Sequence, residues 1–299
     1  MRIGVTGASG MLGTALVNRL SKIHTLFATS RSQGVEGENI EWNCFDLTDS
    51  QLLLKWLNKT KPNVVIHCAA IVNVDTCEGH VDMATAIHVE ATQVIVDYLD
   101  KNNSRLIYIS TDSVFDGEKK DAYNESDLEK PFNVYSKTKL MGESSVQSMS
   151  GGLVLRTNII GWTQEGKMSF AEWVLKGLIN NEPLGLFYDV YFSPLTVYDL
   201  SLIIEKIIEN PIFGLYHCAS SDGISKYEFG VMMAKIFQLS AASINKVSID
   251  SMTFKAVRPK NMVLSIKKIN STLDYDFPSV VDAIRLMKSQ YEKKNNLLN

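Results

Sequence analysis

Residues 2–13 read RIGVTGASGMLG, and this stretch decides how the fold begins. The apolar run over residues 2–6 predicts a strand, and the apolar spacing over residues 12–20 predicts a helix. A glycine-rich turn joins the two. A strand that passes through such a turn directly into a helix is typical of the first unit of a parallel, nucleotide-binding sheet.

The turn itself spaces its glycines as Gly-x-x-Gly-x-x-Gly. Gly7 permits the sharp turn, Gly10 lets the backbone approach a pyrophosphate, and Gly13 allows the helix to pack closely on the sheet. The helix N-terminus adds free N–H groups and a positive dipole end. We therefore expect a dinucleotide phosphate site formed by Gly7, Ser9, Gly10, Met11, Leu12 and Gly13.

Strand and helix patterns continue to alternate through the first half of the chain. The run over residues 64–70 is almost continuously apolar, as expected for a strand covered on both faces. The alternation predicts an α/β fold with a doubly wound parallel (Rossmann) sheet. The other predicted strands are residues 25–29, 40–45, 105–110 and 152–157, and the helices are residues 51–58, 83–99 and the segment around Tyr135.

The pattern changes after Gly161. Helices are predicted at residues 170–179, 197–208, 227–237 and 280–291, with strands at 184–187 and 214–219. We expect residues 1–160 to form the nucleotide-binding Rossmann domain. Residues 161–299 are expected to form mainly a smaller α/β substrate-binding domain, with some segments returning to the Rossmann sheet.

Composition excludes several classes of function. The chain has 299 residues and a net charge of −3. This charge does not indicate a basic surface that would bind nucleic acid or an anionic membrane. It opens without a signal-peptide pattern and contains no apolar run of about 20 residues, so a cytoplasmic protein is expected.

Three of the cysteines, Cys44, Cys68 and Cys218, lie in or beside apolar runs and are predicted to be buried. No metal site is predicted.

The residues after the second strand favour one form of the cofactor. The run Ala-Thr-Ser-Arg-Ser at residues 28–32 has no carboxylate to accept from ribose hydroxyls, and Arg31 can pair with a 2′-phosphate. This favours NADP(H) over NAD(H). Asp46 and Leu47 end the third predicted strand, and Cys68, Ala69 and Ala70 end the fourth, where small side chains allow the backbone close to a cofactor.

A tyrosine and a lysine occur four residues apart in the stretch NVYSKTKLMGE, residues 133–143. On a helix, Tyr135 and Lys139 share one face. A phenol titrates near ~10, and a nearby cation lowers that pKa. The pair therefore indicates general acid–base chemistry.

Taken together, these segments resemble the extended short-chain dehydrogenase/reductases, and the branch they are most similar to is that of the dTDP-4-dehydrorhamnose reductases. The glycine turn, the Asp-Leu pair, the small-residue strand end, a Ser/Thr and Tyr-x-x-x-Lys appear in the family's order. Further matching segments are AAIVNVDTCE (69–78), STDSVFDG (110–117), YSKTKLMGE (135–143), LRT (155–157), SPLTVYDL (193–200) and RPKN (258–261).

The resemblance implies roles for three catalytic residues. Thr111 would hydrogen-bond the substrate oxygen, and Tyr135 would be the general acid. Lys139 would hold the nicotinamide ribose and lower the pKa of Tyr135. The implied activity is NADPH-dependent reduction of a nucleotide-linked 4-keto-6-deoxy sugar, within sugar-nucleotide and cell-surface polysaccharide biosynthesis.

Departures from the family pattern leave the identity of the sugar substrate undecided. Ser113 replaces a usual tyrosine, Ile71-Val72 replaces Tyr-Thr, Asp189-Val190 replaces Asp-Gln, and His88 stands where an asparagine is usual. An aromatic residue expected at Ile159 is absent. The candidate substrate contacts are Val72, Asn73, Ser113, Asn158, Asp189, Tyr191 and Arg258.

Other functions remain open on the same scaffold. A nucleotide-sugar epimerase is compatible, whereas a dehydratase commonly has Asp-Glu after the threonine and this chain has Asp112-Ser113. The regulatory subunit of methionine adenosyltransferase, a binding protein, is similar too. Some members of the branch bind Mg²⁺ through acidic residues at a dimer interface. The resemblance therefore leaves Mg²⁺ and a homodimer open, but no position here identifies those acids.

Overall fold

The computed structural model describes residues 1–163 and 168–296. Its centre is a seven-stranded sheet in which every pairing is parallel. The strands are β1 (Arg2–Thr6), β2 (Thr25–Ser30), β3 (Ile40–Cys44), β4 (Val64–His67), β5 (Arg105–Thr111), β6 (Gly152–Thr157) and β11 (Gly214–His217). Their order is β11-β6-β5-β4-β1-β2-β3, which confirms the predicted doubly wound fold.

Helices cover both faces of this sheet. On one face, α1 (Met11–Leu20) and α8 (Val197–Glu209) bury their apolar stripes against β1, β4 and β6. On the other face lie α2 (Ser50–Thr60), α5 (Ala91–Lys101) and the end of α6 (Val134–Gln147). Each fully buried Leu, Ile or Val side chain contributes roughly 1.5–3 kcal/mol to the free energy of unfolding, so the helices are packed stably on both faces of the sheet.

The segment that follows β4 differs from the single helix predicted over residues 83–99. It forms α3 (Val74–Gly79), α4 (Val81–Thr85), one π-helical turn (Ala86–Glu90) and then α5. The wider π turn carries His88, which is fully buried and hydrogen-bonded on both ring nitrogens. Single π turns of this kind occur as bulges inside α-helices, frequently at functional sites.

A second apolar core gathers most of the remaining elements, which we call the second lobe. It packs α7 (Phe170–Asn180), β8 (Leu184–Phe187), β9 (Tyr191–Phe192), α9 (Lys226–Phe237) and α11 (Val280–Asn296). The other short elements are β7 (Ile159–Ile160), β10 (Leu195–Thr196), β12 (Ile224–Ser225), β13 (Ile244–Val247), β14 (Asn261–Met262) and α10 (Lys267–Leu273). The domain boundary near residue 160 stays a prediction.

The burial of the cysteines differs in part from expectation. Cys218 is buried and Cys68 is half-buried, but Cys44 is exposed, so its predicted burial is wrong. Cys44 is the last residue of β3, and β3 is an edge strand with a neighbour on one side only. Within the described residues, no helix is both long and apolar enough to cross a membrane.

A buried ion pair fixes α6 to the sheet. Arg156 on β6 and Glu143 on α6 have fully buried side chains. The guanidinium Nε lies 3.1 Å from both carboxylate oxygens of Glu143, and Nη2 lies 2.7 Å from Oε2. Ser110 on β5 also donates to Glu143, and Arg156 Nη2 reaches Glu129 at 2.5 Å. Helix α6, which carries Tyr135 and Lys139, is thereby held against β5 and β6.

Replacing Arg156 with methionine should destabilise the protein by about 3–5 kcal/mol, because Glu143 is left as a buried charge without its cation. Urea unfolding followed by circular dichroism measures this free energy. The matched control is Arg285→Met, which removes an exposed arginine from its pair with Asp282 and should cost about 0.5 kcal/mol or less. Equal effects of the two substitutions would contradict a structural role for the buried pair.

Candidate functional site

The glycine turn brings two stretches of backbone into contact. Gly7 has φ +63°, and a Cβ placed on it would lie 2.7 Å from the backbone nitrogen of Ala69, beyond the end of β4. A Cβ on Gly13 would lie 2.6 Å from the Cα of Ala8. Neither position has room for a side chain. The small-residue strand end predicted at Ala69 therefore lies directly against the predicted phosphate turn.

Helix α1 leaves its N-terminus open for a ligand. Its N-cap residue is Gly10, which is exposed, and no side chain caps the helix. The first N–H groups of a helix have no partners within it, so this uncapped end fits an anionic phosphate. Ser9 and Met11 are half-buried beside the turn, whereas Leu12 belongs to the apolar core and can contribute only its backbone.

The residues predicted on the adenosine side are arranged around the ends of β2 and β3. Arg31 is exposed directly after β2. Asp46 accepts from the backbone N and the hydroxyl of Thr48 at 3.0 and 2.8 Å. These bonds, with a smaller contribution from the charge of Arg31, lower the pKa of the Asp46 carboxyl. Leu47 is a buried core residue, so its side chain supports the site from beneath.

The three predicted catalytic residues lie together at the carboxyl end of β5. Thr111 is the last residue of β5, and its hydroxyl lies near enough to the Tyr135 phenol to act on the pKa of that phenol. Asn133 and Ser136 form a capping box that starts α6 just before Tyr135. One turn later, the Nζ atom of Lys139 donates to the carbonyl of Ile109 at 2.7 Å.

The amine of Lys139 is removed from water. Its side chain is 2% exposed, and Nζ lies 3.9 Å from the ring centre of Tyr108. Burial lowers the pKa of Lys139 to about 7, although the charge of Glu143 acts in the opposite direction. Near neutral pH this amine can therefore both hold and release a proton.

The electrostatics of Tyr135 differ from what the family resemblance implied. Burial raises the pKa of this phenol above its usual value, and the nearby Thr111 hydroxyl only partly offsets this. The expected lowering by Lys139 is absent, because the amine is directed to the backbone of β5 and itself loses charge near pH 7. In this structure Tyr135 holds its proton, which suits a general acid.

His88 is a site residue whose contacts the sequence did not reveal. Its Nε2 accepts from the backbone N–H of Ile71 at 3.0 Å, so its proton is on Nδ1, which donates to Thr138 Oγ1 at 2.8 Å. Its ring packs edge-on against Tyr135 with 5.7 Å between centroids. Burial lowers the pKa of His88 to about 3, so it acts as a neutral support. The only sequence signal was its position where the family usually has asparagine.

A second buried histidine connects the glycine turn to the π turn. His67 Nδ1 lies 2.6 Å from the hydroxyl of Thr6, and Nε2 lies 3.1 Å from that of Thr92. Thr92 in turn donates to the carbonyl of His88 at 2.8 Å, so His67 donates to Thr92 and accepts from Thr6. This chain of hydrogen bonds ties β1 and β4 to the element that supports Tyr135.

Two of the predicted substrate contacts lie beside the catalytic residues. Ser113 and Asn158 both donate to the buried carboxylate of Asp112, at 3.2 and 2.7 Å, and Thr111 donates to it at 3.1 Å. Their donors are thus directed to Asp112 and not to the open side of the site. Asp112 itself was noted in the sequence only as evidence against a dehydratase.

The other predicted substrate contacts are spread more widely. Val72 is 73% exposed, and Asn73 caps α3 by accepting from Thr76. Asp189 and Tyr191 line a cavity of about 480 Å³. Arg258 pairs with Asp75 at 3.1 Å. Asn73 and Arg258 therefore make these contacts with partners outside the Asp112 cluster.

No metal centre is formed by the parts of the chain that the structure describes, because they contain no group of three His, Cys, Asp or Glu side chains placed to hold an ion.

Comparison with known proteins agrees with this arrangement. The family model of the RmlD substrate binding domain matches residues 1–292. A dTDP-4-dehydrorhamnose reductase of Aggregatibacter actinomycetemcomitans is 28% identical, over 90% of this chain and 92% of the relative. The methionine adenosyltransferase 2 subunit beta of Mus musculus is 29% identical, over 90% and 82% respectively.

A solved structure shows the same fold over almost the whole chain. It is that of a hypothetical dTDP-4-dehydrorhamnose reductase from Sulfolobus tokodaii, 31% identical, with a TM-score of 0.84 over 95% of this chain and 99% of the other. The predicted family is thereby confirmed. The chain belongs to the RmlD substrate-binding domain family, within the extended short-chain dehydrogenase/reductases, a class of NAD(P)-dependent oxidoreductases.

Proposed function

We propose that this chain is an NADPH-dependent reductase of a nucleotide-linked 4-keto-6-deoxy sugar. The observation that carries the proposal is the placement of Tyr135 beside Thr111, with Lys139 one turn away, on the sheet edge that also holds the open glycine turn. Ligands of doubly wound sheets bind at this edge, where the strand order reverses.

The chain's own residues supply the proton transfer. NADPH, when bound, supplies the hydride. Tyr135 holds its proton because its phenol is buried, and it delivers that proton to the oxygen of the reduced carbonyl. Thr111 lies beside the phenol and favours its ionised form, and His88 packs against its ring. The amine of Lys139 lies one helical turn further on, and with a pKa of about 7 it can return a proton.

The residues at the nucleotide end fit an NADP(H) molecule. The uncapped N-terminus of α1 accommodates the pyrophosphate, and the exposed guanidinium of Arg31 is free to pair with a 2′-phosphate. No acidic side chain occurs between Arg31 and Glu36 to repel that phosphate.

A binding function is the second candidate, because the mouse methionine adenosyltransferase subunit is about as similar to this chain as the bacterial reductase. The intact set of Thr111, Tyr135 and Lys139 favours the enzyme. An epimerase on the same scaffold would recycle its cofactor, so stoichiometric loss of NADPH absorbance distinguishes reduction from epimerisation.

Replacing Tyr135 with phenylalanine should reduce kcat about 100-fold or more, because the general acid is removed. The affinity for NADPH, measured by fluorescence titration, should change less than about twofold, since the ring and the fold are kept. The assay follows NADPH absorbance with a panel of nucleotide-linked 4-keto sugars.

Tyr98→Phe, at a half-buried tyrosine of α5 outside the proposed catalytic set, is the matched control and should keep full turnover. Wild-type turnover that survives Tyr135→Phe would contradict the assigned acid. A wild-type chain that binds NADPH but reduces no member of the panel would favour the binding function.

Replacing Arg31 with alanine should weaken NADPH binding about tenfold and leave NADH binding nearly unchanged, because only NADPH carries the phosphate that Arg31 would pair with. Dissociation constants for both cofactors measure this, and Arg285→Ala controls for the loss of an exposed arginine. If Arg31→Ala weakened the binding of NADPH and NADH equally, Arg31 would not contact the 2′-phosphate.

The amine of Lys139 should titrate with a pKa of about 7 in the free protein, because burial favours its neutral form. Carbon NMR of protein labelled at the lysine side chains should show this titration, and Lys139→Met should remove it. The unfolded chain protonates this lysine up to about pH 10. The unfolding free energy of wild type should therefore rise relative to Lys139→Met from pH 7 to pH 9. A Lys139 signal that stays fully charged at pH 9 would contradict the buried amine.

A further inference from the structure

Tyr135 lies in the part of α6 that the helix itself holds least. Asn133 is the N-cap residue, so Tyr135 is the second residue of the helix. The first four N–H groups of a helix have no acceptor within it, and helix ends open more easily than helix interiors. Lys139 and Glu143 bind the later turns of α6 to the sheet. The turn that carries Tyr135 therefore needs partners from outside the helix.

Helix α3 supplies one of these partners. The carboxylate of Glu78 accepts from the backbone N–H of Val134, the first residue of α6, at 3.0 Å. Asp75 lies three residues earlier, on the same face of α3. Its carboxylate accepts from the backbone N–H of Ala256 at 3.2 Å and from Arg258 at 3.1 Å. The two carboxylates of this short helix thus bind two different segments.

The second of these segments is an irregular stretch that precedes β14, and we call its residues 254–258 the strap. Phe254, at its start, packs edge-on against Phe187 of β8, with 6.1 Å between ring centroids. The guanidinium of Arg258, at its end, lies 4.2 Å from the ring centre of Phe254. Ala256, between them, is 1% exposed, so its N–H needs the acceptor that Asp75 provides. The strap is therefore joined to the second lobe at one side and to α3 at the other.

A single amide side chain closes these contacts into a ring. Asn133 is 3% exposed, and its Oδ1 accepts from the backbone N–H of Ser136 at 2.9 Å within the capping box of α6. Its Nδ2 donates to the carbonyl of Val257 in the strap at 3.0 Å. One side chain thus both starts α6 and holds the strap. The strap, α3 and the start of α6 each bind the other two.

We propose that Asp75, Glu78 and Asn133 are positioning residues for the reduction proposed above: they bind the strap, α3 and the first turn of α6 into a ring that fixes the backbone of Tyr135. The inference rests on the proposed function, since it concerns the acid of the same site. Because the strap also packs on β8, the ring makes the position of the acid depend on the second lobe. An open ring would let the phenol move relative to the catalytic groups held by β5.

Paired substitutions test the positioning role by kinetics. Glu78→Ala leaves the N–H of Val134 without its acceptor and should lower kcat about 10-fold, while the dissociation constant of NADPH changes less than about twofold. Glu78→Gln keeps an oxygen acceptor on a side chain of the same length and should restore most of the loss. Asn133→Ser keeps a hydroxyl that can cap α6 but removes the amide donor to Val257, so it should lower kcat to a similar extent.

The matched control is Asp222→Ala. Asp222 accepts from the backbone N–H of Val280, the first residue of α11, at 2.7 Å. This is the same kind of contact as that of Glu78, at a helix of the second lobe, and its removal should leave kcat unchanged. Values of kcat within twofold of wild type for both Glu78→Ala and Asn133→Ser, or an equal loss in Asp222→Ala, would overturn the proposal.

Hydrogen exchange measured by mass spectrometry needs no substrate and tests the ring itself. Asp75→Ala removes the acceptor that α3 offers to the strap and leaves both bonds to the start of α6 in place. In a closed ring, the amides of residues 254–258 and of residues 134–137 should both exchange about fivefold faster or more. Asp222→Ala should accelerate exchange at the start of α11 and not in α6. Wild-type exchange of residues 134–137 in Asp75→Ala would overturn the ring.

The two measurements separate this proposal from the proposed function. Slow turnover by Glu78→Ala and Asn133→Ser, with faster exchange in Asp75→Ala, supports the positioning role. If the wild-type chain reduces no keto sugar of the panel, the reductase is overturned and the positioning role with it, whereas the exchange rates still show whether the ring is formed.

Discussion

The contact between the glycine turn and the end of β4 is the constraint on which the site depends. No side chain fits between the backbone of Gly7 and that of Ala69, and none fits between Gly13 and Ala8. Strands β1 and β4, which are neighbours in the sheet, and helix α1 are therefore held at one fixed spacing. The chain runs to β2 and β3 on one side of β1 and to β4, β5 and β6 on the other. The cleft opens at that reversal because the helices after β1 and β4 diverge to opposite faces.

Helix α6 provides the second constraint. It holds a phenol and an amine in a fixed orientation against the carboxyl end of the sheet. Tyr135, Lys139 and Glu143 follow one another at four-residue spacing, so they form one stripe along the helix. Two of them are bound to different parts of the sheet, Lys139 to the backbone of β5 and Glu143 to Arg156 of β6, and Tyr135 lies beside Thr111 at the end of β5. The Arg156–Glu143 ion pair at the C-terminal end of this stripe has a desolvation cost but fixes the rotation of α6 about its axis. This rotation determines where the side chains of Tyr135 and Lys139 point.

Local patterns in the sequence predicted the elements that depend on local physics. The glycine spacing at Gly7, Gly10 and Gly13, the apolar strand at β4 and the Tyr135–Lys139 pair each require residues close together in the chain. Features set by strand order were not predictable in this way. Cys44 lies in an apolar run, yet it is exposed because β3 is an edge strand. The two-residue strands of the second lobe are too short to show a period.

The directions in which side chains point were also not predictable from the sequence. Ser113 and Asn158 were identified from their positions in a family pattern, but their donors turn inward to Asp112. His88 was visible only as a departure from asparagine, and its bonds depend on a π turn that the helical spacing did not indicate. The three side-chain donors to Asp112, Thr111, Ser113 and Asn158, do not follow one helical or strand spacing, so no spacing rule connects them.

The two buried charge arrangements differ in a way that matches their positions. Arg156 and Glu143 are in direct contact and hold secondary structure within the sheet region, where a buried pair with several hydrogen bonds keeps one geometry. The carboxylate of Asp112 accepts from neutral donors instead, the hydroxyls of Thr111 and Ser113 and the amide of Asn158. These donors come from three places in the chain, so one buried carboxylate fixes side chains at the end of β5, in the following turn and after β6. The contact pair holds a helix against the sheet, whereas the neutral donors hold the side chains at the sheet's carboxyl end.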